Sequence, residues 1–322
     1  SREVTMKRVK LAFLVLVAIV LATTGLAAPA QAAHSTISVG FFYEALAPHG
    51  EWIVSAEFGH VWRPTYVGGV WRPYYDGRWI YTDYGWTFVS DEPWGWATYH
   101  YGRWYIDPYF GWVWVPGYEW APAWVVFHYG AGWVGWAPLP PRVSLSVAFS
   151  SQVRIDPRAY CFVEERHFVD RRIDRHVVRV ESNTRLLRST RNVTRFSRSG
   201  DRYLNRSFSA EPIQRATKRR IEAHRIVDVS GVRELASARV ERDRVRLFRP
   251  QVSRQASPPP KRAIRPPTRG DRDRGSAVDS DRDDRGRSRV VRSARDDDRG
   301  KRGDVKKRSR ERDRRKPPGL GR

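Results

Sequence analysis

The sequence predicts an all-β N-terminal domain of repeated antiparallel hairpins, forming a meander or a small barrel, followed by a small α+β segment and a disordered tail. Three observations support this order. All 14 tryptophans lie between Trp52 and Trp136. Short apolar clusters continue at lower density to residue 252. Residues 253–322 are rich in Arg, Asp, Gly and Pro, and such a stretch buries too little apolar surface to offset the entropy lost on folding.

The tryptophan-rich stretch contains a pattern that occurs four times. An alternating aromatic run is followed by a Gly-containing turn and by a second run, and the repeats begin at Gly50, Gly77, Gly102 and Ala123. Alternating side chains point to opposite faces of a strand, and glycine supplies the positive φ that a tight turn requires. An isolated hairpin is only marginally stable, so neighbouring hairpins should bury one another's aromatic faces. We therefore predict a Trp-rich β-hairpin repeat domain over residues 34–142.

The strings around these repeats support a family resemblance. Ser90-Asp-Glu-Pro-Trp-Gly-Trp-Ala-Thr-Tyr-His-Tyr-Gly-Arg-Trp is followed by Gly111-Trp-Val-Trp-Val-Pro-Gly, by Glu119-Trp-Ala-Pro-Ala-Trp and by Gly135-Trp-Ala-Pro-Leu-Pro-Pro. Over about residues 41–141, the chain resembles a bacterial exported Trp-rich family known only as a domain of unknown function, series number 6600. Members of that family are often envelope proteins. The resemblance implies a compartment but no activity.

The N-terminal residues have the features of a secretory signal peptide. Basic residues follow Met6, the expected natural start, and an apolar run over residues 11–21 comes next. Ala30-Gln-Ala32 then precedes an expected cleavage before Ala33. We predict that residues 1–32 are a signal peptide and that the protein is exported, to the periplasm or to the outer membrane. A membrane anchor over residues 11–28 is the alternative.

Charge divides the chain at the end of the tryptophan-rich stretch. The formal net charge is +24, but residues 34–142 contain five arginines and nine acidic residues, whereas residues 143–322 have a net charge of +25. We therefore separate a small basic α+β segment, residues 143–252, and a disordered Arg/Asp/Pro-rich tail, residues 253–322. In the segment we predict strands at 160–163, 176–180, 226–229 and 245–248, a hairpin around Gly200 and a helix after Ser209. Because Cys161 is the only cysteine, packing must stabilise the fold without an intramolecular disulfide.

The number of aromatic rings suggests a binding surface. Fourteen tryptophans, with the tyrosines between Tyr43 and Tyr129, are more rings than one interior should need, so some are expected to be exposed. Exposed rings suit stacking on sugars or packing against a protein partner, and packing in the core is the alternative. The predicted ligand-binding residues are Asp91, Trp94, Trp96, Tyr99, Trp104, Glu119, Trp120 and Trp124.

We therefore expect a non-enzymatic cell-envelope protein. Its Trp-rich module would bind a glycan, the cell wall or a protein partner, and its polycationic tail would contact anionic envelope polymers. One alternative is a nucleic-acid-binding protein that acts through the Arg-rich tail, although nucleic acid is not expected as a partner of an exported chain. A second alternative is a glycan-active hydrolase that uses a pair among Asp91, Glu92, Asp107 and Glu119, with His100 nearby. We predict no cofactor and no metal site, and the oligomeric state is left open.

Overall fold

The structure is a computed structural model that describes residues 35–145, 154–235 and 240–266. The predicted signal peptide, residues 1–32, and residues 267–322 of the predicted tail lie outside the described residues. Among the described residues, no helix is long and apolar enough to cross a membrane.

The described residues up to 145 contain the four predicted hairpins, with a strand and a helix before them. The hairpins are β2–β3, β4–β5, β6–β7 and β8–β9, and each is antiparallel. In chain order the elements are β1 (Thr36–Ile37), α1 (Val39–Leu46), β2 (Gly50–Ser55), β3 (Gly59–Pro64), β4 (Gly77–Thr82), β5 (Gly85–Ser90), α2 (Gly95–Thr98), β6 (Arg103–Asp107), β7 (Gly111–Val115), β8 (Val125–Gly130) and β9 (Trp133–Pro138).

The four hairpins are spread over three sheets rather than joined in one meander. The first and third hairpins share a sheet of order β2-β3-β7-β6, in which Trp62 of β3 lies opposite Trp114 of β7. The second hairpin forms a two-stranded sheet by itself. The fourth is the centre of a four-stranded antiparallel sheet whose outer strands come from residues beyond 154. The antiparallel hairpin fold is thus confirmed, and its sheets recruit strands from later in the chain.

Residues 154–235 and 240–252 form the mixed segment that the sequence predicts. The hairpin around Gly200, the helix after Ser209 and the strands near residues 161, 226 and 245 are all present. Their bounds are β10 (Cys161–Glu164), α3 (Asn183–Ser189), β11 (Arg191–Asn192), β12 (Phe196–Ser199), β13 (Arg202–Asn205), α4 (Glu211–Thr217), β14 (Arg225–Asp228), β15 (Arg244–Leu247) and β16 (Gln251–Val252).

The strand predicted at residues 176–180 is wrong. His176 ends one 3-10 turn, Ile173–His176, and Val180 begins another, Val180–Ser182. Between the two turns, the N–H of Val178 donates to the carbonyl oxygen of Phe162 in β10 at 2.9 Å. The chain leaves the edge of β10 at the second turn, so this contact does not extend into a ladder.

The predicted start of the disordered tail is also too early. Strand β16 pairs in parallel with β1, which joins the two ends of the described chain. Farther on, the N–H of Ile264 donates to the carbonyl oxygen of Trp52 at 2.8 Å, and its own carbonyl accepts from the N–H of Val54 at 2.8 Å. The prediction of disorder is therefore wrong for residues 253–266. Composition alone does not register backbone hydrogen bonds to an open strand edge.

The interior is built from the tryptophans. Eleven of the 14 are buried, and Trp71, Trp112 and Trp133 are partly buried. The expectation that some rings are exposed is therefore met by tyrosines, Tyr66, Tyr109 and Tyr118, and by none of the tryptophans. The tryptophan rings are covered because later residues add aromatic side chains of their own to the same core.

Phe168 shows how the two stretches share this core. Its ring centroid lies 5.7 Å from that of Trp79, 4.9 Å from Trp86 and 6.0 Å from Trp136, so it contacts the second and fourth hairpins together. The compositional boundary predicted at residue 142 lies inside one compact unit that extends to Pro266. Residues 34–142 and the later segment thus bury each other.

Close backbone packing reinforces this junction. Strand β10 pairs with β9, placing Phe162 opposite Gly135. A Cβ atom at Gly135 would lie 2.2 Å from Phe162 Cε1, which is well inside van der Waals contact. Glycine at this position therefore allows the Phe162 ring to lie flat on β9.

Indole N–H groups connect the hairpins to the segments between them. Buried indole N–H groups usually find an acceptor, and six of them here donate to backbone carbonyls, whereas those of Trp79, Trp86, Trp94 and Trp120 have no hydrogen-bond partner among the described residues. Trp62 donates to Leu46 at 3.1 Å, and Trp136 donates to Tyr74 at 2.9 Å. Trp52, Trp104, Trp114 and Trp124 donate in the same way to the carbonyls of Tyr43, Thr98, Tyr101 and His100. These bonds tie the segments between the hairpins to the tryptophans of the strands.

Replacing Phe168 with alanine should destabilise the whole fold. Loss of a fully buried phenylalanine costs about 3 to 5 kcal/mol, because a cavity remains among the surrounding rings. Urea unfolding followed by tryptophan fluorescence measures this loss. Tyr109→Ala is the control, since the Tyr109 side chain is 64% exposed. Equal stability of the two variants would contradict a core shared across residue 142.

Candidate functional site

The predicted ligand-binding residues occupy three different environments. Asp91 is exposed, and Glu119 is half-buried. Trp120 is 3% exposed but lines a surface cleft. The other five are buried in the core, where their faces are covered by protein and cannot stack on a sugar: Trp94, Trp96, Tyr99, Trp104 and Trp124. The structure therefore retains the Glu119–Trp120 part of the predicted site.

The cleft beside Trp120 has a volume of about 240 Å³ and is formed by three connections. One is the loop before β8 that carries Glu119 and Trp120. The second is the β12–β13 hairpin, and the third is the chain between β15 and β16. We call it the arginine cleft, and its lining residues are Tyr101, Tyr118, Glu119, Trp120, Arg198, Asp201, Arg202, Arg249, Pro250, Gln251, Val252 and Arg254.

Backbone hydrogen bonds hold these connections together. The N–H of Tyr203 in β13 donates to the carbonyl of Trp120 at 3.1 Å. The hydroxyl of Tyr101 donates to the carbonyl of Pro250 at 2.7 Å. The hairpin and the β15–β16 connection are thus both tied to the tryptophan-rich repeats, which keeps the cleft walls in place.

Two buried arginines dominate the electrostatics of the cleft. Arg202 is 8% exposed and Arg249 is 5% exposed. Both guanidinium groups contact the carboxylate of Asp228: Arg249 Nε donates to Oδ1, and Arg202 Nη2 lies 3.4 Å from Oδ2. A second, weaker partner is Asp201, whose Oδ1 lies 3.9 Å from Arg202 Nε. Burial in low dielectric strengthens the interactions between these charges.

An aromatic wall lies behind Arg249. Its guanidinium carbon is 4.8 Å from the ring centroid of Trp120 and 4.9 Å from that of Tyr84, which are cation–π distances. His100 stacks on the other side of Trp120, with centroids 5.5 Å apart and planes 17° apart. Burial lowers the pKa of His100 to about 4, so this imidazole is neutral at neutral pH and adds no charge to the wall.

The rim of the cleft carries two more arginines. Arg198 Nη2 lies 3.8 Å from Glu119 Oε1, a loose ion pair between side chains that are 62% and 37% exposed. The guanidinium carbon of Arg254 lies 4.9 Å from the ring centroid of Tyr118. The cleft thus presents four guanidinium groups, and the acidic side chains among and beneath them are three: Glu119, Asp201 and Asp228.

Two buried donors at the cleft have no hydrogen-bond partner among the described residues: Arg249 Nη1 and Trp120 Nε1. Buried polar groups of native proteins are almost always paired, so such a group calls for an explanation. Both atoms are shielded from solvent. An incoming anion would therefore meet the net positive field of the arginines first, and small side-chain shifts would be needed to reach these two donors.

Glu92 is a second chemically unusual residue in the predicted region. Its carboxyl accepts hydrogen bonds from Trp71 Nε1 at 2.6 Å, from Ser90 Oγ at 3.2 Å and from the Tyr99 hydroxyl. Burial raises the pKa of Glu92 to about 7, and the hydrogen bonds from Tyr99 and Trp71 oppose the shift. A carboxyl of this pKa could exchange a proton at neutral pH, as a general acid must. These donors are buried or partly buried side chains of the same region, however, which favours a structural role in holding the loop before α2.

A larger cavity lies elsewhere, between α1, β2 and residues 258–264, with a volume of about 1250 Å³. Its lining includes the acidic residues Glu44 and Glu51 and the basic residues Lys261 and Arg262. None of these four side chains is buried. We place the candidate site at the smaller cleft because buried charge and aromatic faces converge there.

Metal ligands were not expected from the sequence. Within the described residues, one group of His, Cys, Asp or Glu side chains places three possible ligand atoms within 4.8 Å of one another, namely His167, Asp170 and His176. The group is not among the residues that line the arginine cleft.

Sequence reasoning missed the arginines of the cleft and this His/Asp group. In a segment with so many arginines, nothing marks Arg202 and Arg249 as buried. The one available signal was their position in predicted strands or directly after them. His167, Asp170 and His176 lie within ten residues, a spacing that was visible in the sequence.

The pH dependence of stability should reveal Glu92. The ordinary pKa of the group is 4.5 and the folded value is about 7, so the folded state retains a proton that the unfolded chain releases. The contribution of Glu92 to stability is complete below pH 4.5 and is lost as the pH rises through about 7. The melting temperatures of the wild type and of Glu92→Gln should therefore diverge across this range. The melting temperature of the wild type should fall relative to that of the variant as the pH rises. Glu44→Gln, at an exposed glutamate, is the control, and parallel curves for wild type and Glu92→Gln would refute the shift.

The cleft and the Glu92 loop both include residues from the connections between the hairpins, and comparison with known proteins concerns the same stretch of the chain. No curated protein and no solved structure matches the chain. The resemblance inferred from the Trp/Gly/Pro strings is confirmed over this stretch, since residues 43–143 match the model of a family described as a family of unknown function, DUF6600.

Proposed function

We propose that this is a non-enzymatic binding protein of the cell envelope that holds an anionic group of an envelope polymer in the arginine cleft. The observation that carries the proposal is the pair of buried arginines, Arg202 and Arg249, which share the carboxylate of Asp228. Asp201 is a second acidic neighbour of Arg202, and the four arginines that line the cleft outnumber the acidic side chains Glu119, Asp201 and Asp228 by one. A ligand carboxylate, sulfate or phosphate would complete that balance.

The size of the cleft supports one charged group at a time. A volume of about 240 Å³ is below the range of about 300 to 1,000 Å³ typical for drug-sized ligands. A repeating acidic polymer could place one of its groups there while the rest of the chain runs along the surface. The half-exposed Tyr118 and the rim arginines Arg198 and Arg254 would contact its neighbouring units.

This proposal changes the role expected for the tryptophans. Most of them build the scaffold, and Trp120 contributes by stacking against Arg249 and His100 rather than against a sugar. The polycationic residues beyond 266 would add nonspecific attraction for the same polymers, weakened by salt. Nucleic acid binding through those residues and a hydrolase that uses Glu92 remain the alternatives.

The proposed compartment rests on the N-terminal sequence. A basic start, an apolar run and Ala30-Gln-Ala32 are typical of exported proteins. Anionic glycans and phosphorylated lipids are the polyanions of that compartment. The cleft chemistry and the inferred export therefore suggest the same class of ligand.

Removing the rim arginines should weaken polymer binding. We expect Arg198→Gln combined with Arg254→Gln to reduce the affinity of the full-length protein for polygalacturonate about fivefold, since exposed charge pairs contribute roughly 0 to 1 kcal/mol each. Fluorescence anisotropy with labelled polymer measures the affinity, at two salt concentrations. Dextran should not bind in either case.

The matched control removes the same charge from another surface. Arg185→Gln combined with Arg188→Gln alters two exposed arginines of α3. If this pair weakens binding as much as the rim pair does, total charge rather than the cleft is responsible. Affinity that ignores salt would also count against an arginine-based site.

Export predicts a shorter mature chain. Expression of the full sequence in a bacterial host, followed by fractionation and mass spectrometry, should yield a periplasmic or membrane-associated protein that begins at Ala33. A full-length chain recovered from the cytoplasm would refute the compartment and favour the nucleic-acid alternative.

A further inference from the structure

We propose that His167, Asp170 and His176 form a binding site for a single divalent transition-metal ion such as Zn²⁺. His167 Nδ1 lies 2.8 Å from Asp170 Oδ2, and His176 Nε2 lies 3.3 Å from the same oxygen. Two imidazole nitrogens and a carboxylate oxygen thus converge on one point. This donor set suits Zn²⁺ and its neighbours in the first transition row. The inference is independent of the arginine cleft.

The backbone holds the three residues in place. His167 ends the 3-10 turn Glu165–His167, and His176 ends the turn Ile173–His176. Between the histidines, the side chains of Phe168 and Ile173 are fully buried in the aromatic core. The backbone of the short segment is therefore anchored at two positions between the histidines.

The ligands are accessible. The side chains of His167, Asp170 and His176 are 29%, 23% and 33% exposed. An ion could reach them from solvent and would keep open positions for water or an anion, as catalytic and exchangeable zinc sites do. A fully enclosed structural site would instead require a fourth protein ligand.

The two imidazole rings must move slightly to bind one ion. Their centroids are 3.9 Å apart and their planes differ by 4°, so the rings are stacked. A metal ion lies near the plane of each ligating imidazole, and two parallel planes cannot both contain it. Rotation of the more exposed His176 ring about its side-chain bonds would bring its nitrogen toward the ion while His167 and Asp170 keep their places.

Neighbouring arginines set the strength of the site. Arg219 Nη1 lies 3.6 Å from Asp170 Oδ1, so it occupies the carboxylate oxygen that the histidines do not use. This contact orients Oδ2 toward the histidines, in the manner of the outer-shell partners of metal ligands. Its charge also repels a cation, and Arg171 and Arg175 of the same sequence segment add further positive charge. We therefore expect the affinity of the site to be low enough for the bound ion to exchange with solution.

Metal titration of the full-length protein tests the proposal. The protein is prepared without a polyhistidine tag, freed of metal with a chelator, and titrated with Zn²⁺ by calorimetry and with Co²⁺ by visible absorption. We expect one ion per chain and ligand-field bands that report bound nitrogen and oxygen donors. His167→Ala and His176→Ala should each lower the affinity about tenfold or more, because even outer-shell changes cost roughly 10- to 100-fold.

The control is His224→Ala, at a partly exposed histidine outside the group. It should leave both affinity and stoichiometry unchanged. Asp170→Asn tests the carboxylate and should weaken binding in the same direction as the histidine variants. Near-ultraviolet circular dichroism, sensitive to the Trp79 and Trp86 rings around Phe168, verifies that each variant is folded.

Two results would overturn the proposal. Equal affinity in the wild type, His167→Ala and His176→Ala would mean that any bound ion lies elsewhere, for example among the acidic residues beyond 266. Failure of the wild type to bind either Zn²⁺ or Co²⁺ would mean that the group is only a hydrogen-bonded cluster.

Discussion

The packing of tryptophan rings from different hairpins around Phe168 is the contact on which the rest of the structure depends. A hairpin whose two faces are both aromatic is not stable in water by itself, because its aromatic side chains remain exposed to solvent. Here the second and fourth hairpins turn their inner faces toward one phenylalanine, and its neighbour Phe208 lies 5.6 Å from it and 5.5 Å from Trp86. The basic segment is thus a structural partner of the repeats. Its charges line the surface while its few aromatic residues complete the interior.

Local features of the sequence predicted the hairpins, and distant features did not reveal how they assemble. An alternating run with a glycine turn determines its own partner and register, so β2–β3 or β8–β9 follow from adjacent residues. The pairing of Trp62 with Trp114, or of β10 with β9, joins residues far apart, and many aromatic strands were equivalent candidates. Helix α1 was missed although Val39, Phe42 and Leu46 have helical spacing, because the surrounding aromatic residues favour strands as strongly.

The candidate site divides in the same way. Glu119 and Trp120 were identifiable because turn, ring and carboxylate coincide in the sequence. The arginines opposite them come from residues 198–254, and their burial depends on where the β12–β13 hairpin docks. The aromatic residues predicted to stack on a ligand lie mostly in the core, for a related reason. The number of rings does not show how much of their area a later segment covers. His167 and Asp170 were visible as neighbours, but their convergence with His176 depends on two 3-10 turns.

The backbone hydrogen bonds between Ile264 and β2 affect whether two molecules of the protein can associate through this strand. Strand β2 is the outermost strand of its sheet, and an unpaired outer strand is a template on which a second molecule can add its own strand. Ile264 occupies the N–H of Val54 and the carbonyl of Trp52 in the middle of β2. A chain that ended before this residue would keep its hairpins but would leave the edge of β2 unpaired and exposed. Ile264 therefore covers the middle of this edge and hinders the pairing of β2 with a strand of a second molecule.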